Sequence, residues 1–497
     1  MEEVDVLIVG SGMGGATTAA ALAPSGRRIV ILERGERLAD TAEARDAEAI
    51  FARGYFRPKE TWLTPEGERF NPGNYACVGG NTKFYGAVLM RYRAEDFAPR
   101  RHFGGSTPGW PIGYDDLEPW YQRAEDLYRV CGMLGADPTE PPHSGVYPRP
   151  PVPHEPEIAD LERRLKAVGL HPAALPLGVD IERWLARART PWDAYPCTTG
   201  AKMDAESVGL AAALKHPGVE LRTGVTVERL EAGAAGRVTA VVTSAGPIAA
   251  RQVVLAAGAV HTAALLLRSA SGDHPRGLAN RSDQVGRNFM NHNASGLLAL
   301  SPRRNRTVYQ KTLYINDWYN SGGPEGEPLG NVQLLGRVSG PILAAQTGLP
   351  RPIARMISDR AIDFYVMSED LPDPDSRVTL KGADIVLNWT RSNREAHERL
   401  LAALRSALRR AGFPLILSRP FDRRTPSHQC GTARMGDDPA ASVVGPWGRA
   451  HDHGNLWIAD ASVLPTSGAV NPSLTVAAHA LRVGHALTRT LHEEVAA

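Results

Sequence analysis

A histidine and an asparagine near the C-terminus are the residues whose types and surroundings best fit catalysis. His428 lies in a glycine-containing stretch (427–436), and Asn471 begins an Asn-Pro-Ser-Leu-Thr run (471–475). Hydride leaves a carbinol carbon only as its hydroxyl group loses a proton, so a base with a pKa near neutrality lowers the barrier. An asparagine amide can donate a hydrogen bond to that hydroxyl oxygen and orient it. The pair predicts a site that oxidises an alcohol.

The residues after Asn471 predict a helix that would position this asparagine. Residues 476–487 are mostly apolar at helical spacing, Pro472 suits an early helical position, and Asn471 suits the N-cap. An asparagine before proline is usually a turn or a cap, so this interpretation stands beside the catalytic one. The positive end of such a helix would face developing negative charge.

The N-terminus opens with a pattern that predicts a dinucleotide site. Residues 4–9 form the β-branched run of a buried parallel strand, residues 10–15 match G-x-G-x-x-G, and residues 16–22 favour a helix. We expect Gly10 to make the tight turn, Gly12 to let backbone approach the diphosphate, and Gly15 to let the helix pack closely on the strand. Free N–H groups at the start of the helix would hold the phosphates.

Glu33 ends a second predicted strand (28–32), at the position where an acid accepts the ribose hydroxyls. An acid here disfavours NADP, but NAD and FAD fit these residues equally well. Three later segments together favour FAD, although each alone fits one more unit of an α/β core. They are a second glycine turn (78–82), a buried strand with a following helix (252–269), and a late strand that leads to Asp460 (455–462).

Further motifs are spread along nearly the whole chain, at residues 110–121, 256–260, 285–288 and 371–378. Together with the glycine turns and the two C-terminal motifs, they make the chain resemble the glucose–methanol–choline (GMC) oxidoreductases. The resemblance is strongest to the sugar-oxidising branch with pyranose oxidases and glycoside 3-oxidases. It implies an α/β fold (α+β overall) with a Rossmann-type FAD-binding domain and an antiparallel-sheet substrate domain. It also implies that His428 and Asn471 face the flavin.

The resemblance further implies which residues contact FAD. These residues are Gly10, Gly12, Met13, Gly14, Gly15, Glu33, Gly79, Gly80, Asn81, Thr82, Val225, Ala257, Asp460, Ala461, Ser473 and Thr475. Some pyranose oxidases attach FAD to a histidine in the loop that corresponds to residues 79–86. Residues 81–85 contain no histidine here, so we expect FAD to be held non-covalently.

Two discontinuous domains are expected. The FAD-binding domain would comprise residues 1–100, 196–295 and 425–497, and the substrate domain residues 101–195 and 296–424, including a proline-rich surface segment at 138–156. In the substrate domain, alternating runs at 363–367 and 384–389 predict an antiparallel sheet with one wet face, which would lie over the reacting face of the flavin. Residues 395–411 predict an amphipathic helix, and His292 is interpreted as marking the crossing between the domains.

Composition excludes several classes of partner. The 497 residues carry a formal charge of only +2, without a dense Lys/Arg run, so nucleic-acid binding is not expected. The four cysteines form no CxxC pair, and no metal site is predicted. The sequence shows neither an apolar stretch long enough for a membrane span nor an export signal, so we expect a cytoplasmic location without membrane contact.

The expected reaction is oxidation of a primary or secondary hydroxyl of a sugar or glycoside by FAD, with O2 as electron acceptor. Free pyranoses, plant glycosides and aminoglycosides all remain open as substrates. A dehydrogenase of the same fold, using a quinone or a soluble carrier, is the first alternative. A flavin-binding protein without catalysis is the second, and the presence of both His428 and Asn471 disfavours it. The oligomeric state is not predicted.

Overall fold

The computed structural model describes residues 2–233, 236–425 and 428–496 of the chain. Strands form three larger sheets and one hairpin. The strands are β1 (Glu2–Val9), β2 (Ile29–Leu32), β3 (Trp62–Leu63), β4 (Arg69–Phe70), β5 (Arg100–His102), β6 (Gly105–Thr107), β7 (Ala173–Ala174), β8 (Val219–Arg222), β9 (Val227–Ala232), β10 (Val238–Thr243), β11 (Gly246–Leu255), β12 (Asn293–Leu300), β13 (Leu313–Ile315), β14 (Asn331–Leu334), β15 (Ala361–Ser368), β16 (Arg377–Lys381), β17 (Asp384–Asn388), β18 (Leu415–Pro420) and β19 (Leu456–Ile458).

Helices cover the faces of these sheets. They are α1 (Met13–Leu22), α2 (Tyr114–Leu127), α3 (Pro156–Ala167), α4 (Ile181–Arg187), α5 (Ala211–Ala213), α6 (Ala259–Arg268), α7 (Gly340–Thr347), α8 (Arg351–Ser358), α9 (Arg394–Arg410) and α10 (Ser473–Ala496). Within the described ranges, no helix combines the length and the apolarity that a membrane crossing requires.

A seven-stranded sheet contains the predicted dinucleotide unit. Its order is β8-β2-β1-β11-β10-β9, and β19 also pairs with β11. β1 pairs in parallel with both β2 and β11, and its residues 6–9 are almost completely buried, which explains the β-branched run. The predicted strands at 4–9 and 28–32 and the predicted helix at 16–22 are confirmed as β1, β2 and α1. The Rossmann-type fold predicted for this part of the chain is therefore present.

The C-terminal part of the chain returns to this sheet. β19 pairs in parallel with the end of β11, from Val253–Leu456 to Leu255–Ile458. α10 then packs on α1 so closely that a Cβ on Gly484 would lie 2.6 Å from the Cβ of Ala21. The C-terminal elements β19 and α10 thereby lie beside β11 and α1, so the motifs at the two ends of the chain meet in one layer.

A six-stranded antiparallel sheet, in the order β18-β12-β15-β14-β13-β7, forms the second layer. The prediction of one wet face is wrong for its inner strand, because every residue of β15 is buried. Phe364 and Val366 pack with α9 in one apolar cluster, whereas Tyr365 and Met367 lie on the opposite face. That face lies against His428, so both sides of β15 are covered. The predicted amphipathic helix is confirmed as α9.

The run at 384–389 does not join this sheet. It forms β17 in a four-stranded sheet of order β16-β17-β3-β4, because a turn at Gly382, with φ 61°, folds it back on β16. β12 crosses the predicted domain boundary between residues 295 and 296 and pairs along its whole length with β15. The division of the chain into two domains remains a prediction.

A buried arginine ties the proline-rich segment to α2. Arg91 is 1% exposed and donates two hydrogen bonds to the carboxylate of Glu125, at 2.8 and 2.7 Å. It donates further bonds to Glu118 Oε1 at 2.9 Å and to the carbonyl of Pro142 at 3.3 Å. Burial alone would lower the pKa of Arg91, but Glu125 raises it, so the guanidinium stays charged. The segment at 138–156 is therefore anchored from the core.

We expect Arg91→Leu to lower the free energy of unfolding by about 3–5 kcal/mol, because it leaves the carboxylate of Glu125 buried and unpaired. The control is Arg163→Leu on α3, which breaks the ion pair of Arg163 with Asp160. Because the side chain of Arg163 is 72% exposed, this change should lower the free energy of unfolding by less than about 1 kcal/mol. Urea denaturation of both variants measures the difference. Equal losses would contradict the assignment of Arg91 as a buried anchor.

Candidate active site

His428 and Asn471 are brought into direct contact. The side-chain amide nitrogen Nδ2 of Asn471 lies 3.1 Å from Nε2 of His428, although the residues are 43 positions apart. The amide oxygen of Asn471 accepts a hydrogen bond of 2.9 Å from Nε2 of Gln333, on β14. The second sheet therefore holds the orientation of the Asn471 amide, and sequence analysis did not identify Gln333.

The backbone on either side fixes both side chains. The backbone N–H of Cys430 donates to the carbonyl of Met290, and the N–H of Met290 donates to the carbonyl of Cys430, both at 3.0 Å. This pairing holds His428 beside residues 290–292. His428 has φ 71°, in the left-handed region that non-glycine residues rarely adopt and that often marks functional sites. The carbonyl of Pro472 accepts the helical bond from Val476, so Asn471 lies just before α10 and the predicted N-cap role is wrong.

A second histidine lies behind His428. Nδ1 of His292 is 2.8 Å from Nδ1 of His428, and Nε2 of His292 is 3.1 Å from the carbonyl oxygen of Ser467. His292 immediately precedes β12, where the chain enters the second sheet, and is 3% exposed. The sequence indicated only that His292 marks the crossing between the domains. The contact with His428 was missed because the two residues are 136 positions apart and no local pattern links them.

Electrostatics keep both imidazoles neutral. Burial, then His292, then Lys311 lower the pKa of His428 well below the ordinary value for histidine. Burial lowers the pKa of His292 to about 4, although the backbone acceptors at Ser467 and Gly468 act against it. An imidazole that stays unprotonated at neutral pH can accept a proton, which is the property a general base needs.

A buried ion pair and an aromatic ring adjoin the histidines. Nζ of Lys311 lies 2.8 Å from Oδ2 of Asp193 and 5.7 Å from the ring centroid of Tyr365. The ring of Tyr365 is in turn 6.2 Å from that of His428. Burial alone would raise the pKa of Asp193, but Lys311 holds it below its ordinary value, so the pair is charged. An aromatic ring thus lies beside His428, and a charged pair lies beside that ring.

The glycines of the N-terminal fingerprint divide into two groups. A Cβ on Gly10, Gly14 or Gly15 would lie within 2.4 Å of a backbone carbonyl oxygen, so these positions allow close packing of strand, turn and helix. A Cβ on Gly12 would meet no atom within 4 Å among the described residues. Gly12 precedes α1, whose N-terminus receives no side-chain cap from the described residues. Open space beside uncapped helical N–H groups fits a diphosphate.

Glu33 braces this turn. Its Oε2 accepts hydrogen bonds from the N–H and hydroxyl of Ser11, at 3.2 and 2.6 Å, and its Oε1 accepts one from the N–H of Gly35 at 2.9 Å. A carboxylate accepts about four hydrogen bonds, so capacity for a ribose hydroxyl remains. The N–H of Val225 donates to the carbonyl of Glu33 at 3.0 Å, which places the two predicted cofactor residues side by side.

The second glycine turn touches the first. The hydroxyl of Ser11 accepts a bond of 3.1 Å from the N–H of Gly79, and a Cβ on Gly80 would lie 3.5 Å from Cα of Gly12. Asn81 Oδ1 accepts from the N–H of residue 75 at 2.8 Å, and the hydroxyl of Thr82 donates to the carbonyl of Gly79 at 2.6 Å. Ser11, which sequence analysis did not single out, therefore joins the two turns.

The remaining predicted cofactor residues lie at the ends of β11 and β19 and at the starts of α1 and α10. Asp460 accepts from the N–H of Gly258 at 2.9 Å, close to Ala257, and the carbonyl of Ala461 accepts from the N–H of Gly431. Thr475 is completely buried, and its hydroxyl is 2.7 Å from that of Tyr121, so this side chain is already paired. Ser473 is the first residue of α10, and Met13 the first of α1.

Comparison with known families agrees with this arrangement. The profile of a family described as FAD dependent oxidoreductase matches residues 5–308, and that of a family described as GMC oxidoreductase matches residues 372–480. The chain is 32% identical over 99% of its length to 6'''-hydroxyparomomycin C oxidase of Streptomyces lividus, 93% of which is covered. The chain belongs to the GMC oxidoreductase family. This GMC oxidoreductase uses FAD and acts on CH–OH groups.

Two further similarities support the assignment. The GMC oxidoreductase is 31% identical over 98% of its length to paromamine 6'-oxidase of Streptomyces fradiae, with 92% of that protein covered. Its fold matches the crystal structure of pyridoxine 4-oxidase from Mesorbium loti with a TM-score of 0.68 and 22% identity, over 97% of this chain and 99% of that one. The second likeness shows the fold alone. In the described part of the GMC oxidoreductase, no group of three His, Cys, Asp or Glu side chains is arranged to hold a metal ion.

We expect Gly12→Ala and Gly14→Ala to separate cofactor binding from folding. Gly12→Ala should fold normally but raise the Kd for FAD at least about tenfold, because its methyl group enters the space that fits the diphosphate. Gly14→Ala should lower stability by about 1–3 kcal/mol, because its Cβ would lie 1.9 Å from the carbonyl oxygen of Ala459. Thermal unfolding and FAD titration of the apoprotein measure the two effects. Wild-type affinity in Gly12→Ala would refute this placement of the diphosphate.

Proposed function

We propose that this GMC oxidoreductase oxidises a primary or secondary hydroxyl of a sugar or glycoside, with an aminoglycoside as the first candidate substrate. The observation that carries the proposal is the contact of 3.1 Å between Nδ2 of Asn471 and Nε2 of the half-buried His428, whose pKa is lowered. The aminoglycoside class is supported by the names of the two relatives that share 31–32% identity over nearly the whole chain.

The geometry supports a division of roles between the two side chains. An alcohol hydroxyl placed between them would donate its proton to Nε2 of His428 and accept a hydrogen bond from Nδ2 of Asn471, replacing their direct contact. As the proton moves to His428, the growing negative charge on the alcohol oxygen strengthens the bond from Asn471, so this contact favours the transition state. Bound FAD supplies the acceptor for the hydride from the carbinol carbon.

The surroundings of the pair suit a polyhydroxylated molecule. Asp193 and Lys311 provide a charged acceptor and a charged donor, and the ring of Tyr365 lies between Lys311 and His428. Hydrogen bonds to charged groups contribute about 1.5–3 kcal/mol each, enough to distinguish a sugar from a simple alcohol.

The proposed electron acceptor is O2, as the names of the two relatives as oxidases suggest.

We further propose that FAD is held non-covalently. The loop at 81–85, which corresponds to an attachment site in some relatives, contains no histidine. Acid precipitation should therefore release the flavin into solution.

The test is anaerobic mixing of the holoenzyme with paromamine, neutral hexoses, alkyl glycosides and simple diols, followed by admission of oxygen. We expect loss of flavin absorbance with at least one sugar or aminoglycoside, and its recovery with formation of hydrogen peroxide. Reduction without reoxidation by oxygen would favour a dehydrogenase with another acceptor. Absence of reduction by any alcohol would refute the proposed substrate class.

With the best substrate, His428→Ala should keep FAD but slow flavin reduction by about 10²–10⁴-fold, the usual contribution of a positioned base. Asn471→Ala should slow it less, because orienting a hydroxyl contributes less than removing its proton. The matched control is His171→Ala, since this histidine has a side chain 62% exposed and pairs with Asp317 on the surface. Reduction of His428→Ala at the wild-type rate would exclude His428 as the base.

The pH dependence follows from the lowered pKa of His428. Neutral imidazole is the active form, and a depressed pKa preserves it at lower pH. The rate of flavin reduction should therefore stay constant as pH falls through about 6.5 and decline only in more acidic solution. Lys311→Met removes a charge that lowers this pKa, so the decline should begin at higher pH. Stopped-flow rates across the pH range check both statements, and a half-maximal rate near 6.5 in the wild type would contradict them.

A further inference from the structure

We infer that His292 is a positioning residue for alcohol oxidation, acting as an uncharged hydrogen-bond acceptor that holds His428 in the tautomer with a free electron pair on Nε2. The inference rests on the proposed function, because it concerns the same base. It depends on a continuous series of hydrogen bonds from the carbonyl of Ser467, through His292, His428 and Asn471, to Gln333.

The carbonyl of Ser467 sets the direction of this series. A carbonyl oxygen only accepts, so Nε2 of His292, 3.1 Å away, must carry a hydrogen. The neutral ring of His292 then has an unprotonated Nδ1, which accepts the hydrogen on Nδ1 of His428 across 2.8 Å. Nε2 of His428 is consequently unprotonated and accepts from the amide of Asn471. The amide oxygen of Asn471 is left to accept from Gln333, as observed.

The opposite direction is unfavourable. If Nε2 of His428 carried the hydrogen, its Nδ1 would need a donor, and Nδ1 of His292 would have to be protonated. Nε2 of a neutral His292 would then present a lone pair to the lone pairs of the Ser467 carbonyl. Only a doubly protonated His292 would avoid this repulsion, and burial opposes that charge. A single backbone oxygen therefore decides which nitrogen of His428 faces the alcohol.

The fold holds this oxygen firmly. The hydroxyl of Ser467 donates to the carbonyl of Asp370 at 2.9 Å and accepts from its N–H at 3.0 Å. The N–H of Gly468 donates to the buried carboxyl of Glu369 at 2.9 Å. On its other side, the N–H of His292 donates to Oδ1 of Asn291 at 3.0 Å. His292, which donates the first hydrogen bond of the series, and Ser467, which accepts it, are therefore both held in place by groups outside the series.

An uncharged acceptor differs from the carboxylate that orients histidine in many hydrolases. A carboxylate would raise the pKa of His428 and so increase the fraction that is protonated, and unable to accept a proton, at a given pH. Neutral His292 orients the ring without this effect. When the hydroxyl proton reaches Nε2, the hydrogen on Nδ1 stays in place and its bond to His292 becomes charge-assisted, which stabilises the imidazolium.

The experiment compares His292→Asn with His292→Leu in the holoenzyme. Asparagine places an amide oxygen near the position of Nδ1 and keeps an acceptor for His428, whereas leucine provides none. Both variants lose the bond to Ser467, so they share any purely structural defect. Rates of anaerobic reduction and substrate Kd are measured with the best substrate. Nitrogen-15 histidine NMR, with the signals of His428 assigned by their loss in His428→Ala, reports the tautomer without substrate.

We expect His292→Leu to slow flavin reduction by about 10–100-fold, as removal of an outer-shell partner usually does, with substrate Kd changed less than about threefold. His292→Asn should recover most of the lost rate. NMR should show the hydrogen of His428 on Nδ1 in the wild type and in His292→Asn, and partly or wholly on Nε2 in His292→Leu.

Equal rates in the leucine variant and the wild type, equal losses in both variants, or an unchanged tautomer would each overturn the inference. If His292→Leu fails to hold FAD, the tautomer in His292→Asn and the wild type decides, and a hydrogen on Nε2 of His428 in the wild type refutes the inference. A normal rate in His428→Ala would instead refute the proposed function, while the NMR result would still establish whether His292 fixes the ring.

Discussion

The return of the chain to its first sheet is the constraint on which the site depends. β19 is a three-residue strand whose members are at most 3% exposed, and it has its place only because β11 offers an unpaired edge beyond β10. From there the chain passes Asp460 and Ser467, reaches Asn471 and enters α10, which packs on α1. One buried edge thereby joins the proposed cofactor end of the molecule to the proposed base.

The hydrogen bonds of the proposed site have a fixed direction although none of its members is charged. The series from Ser467 to Gln333 consists of a backbone carbonyl, two neutral imidazoles and two amides, and the ion pair of Lys311 with Asp193 is not a member of it. Inside a protein an unpaired charge is expensive, whereas hydrogen bonds between neutral groups gain strength from the low dielectric. Burial combined with a fixed acceptor thereby keeps His428 neutral, as its proposed role as a base requires.

Several parts of this arrangement could be predicted from local patterns. The β-branched run and glycines at 4–15, the amphipathic spacing at 395–411 and the motif around His428 each describe a short stretch whose physics is contained within it. Other parts could not. His292 and Gln333 lie in segments without a chemical motif, and the covering of β15 on both faces depends on α9 and on the residues around His428. Alternation along a strand indicates which residues share a face, but not whether that face meets water.

The sequence by itself determined the family, the FAD fingerprint and the choice of His428 and Asn471 as candidate catalytic residues, because these are carried by residue types at fixed short spacings. The sequence predicted Asn471 as the N-cap, one position too far into the helix, because the carbonyl of Pro472 accepts the helical bond from Val476. The amide oxygen of Asn471 accepts from Gln333 instead. Only the tertiary structure decided which nitrogen of His428 faces the amide of Asn471. That choice depends on the carbonyl of Ser467, and a backbone oxygen has no signature in a sequence: its position is set by the packing of segments more than a hundred residues apart.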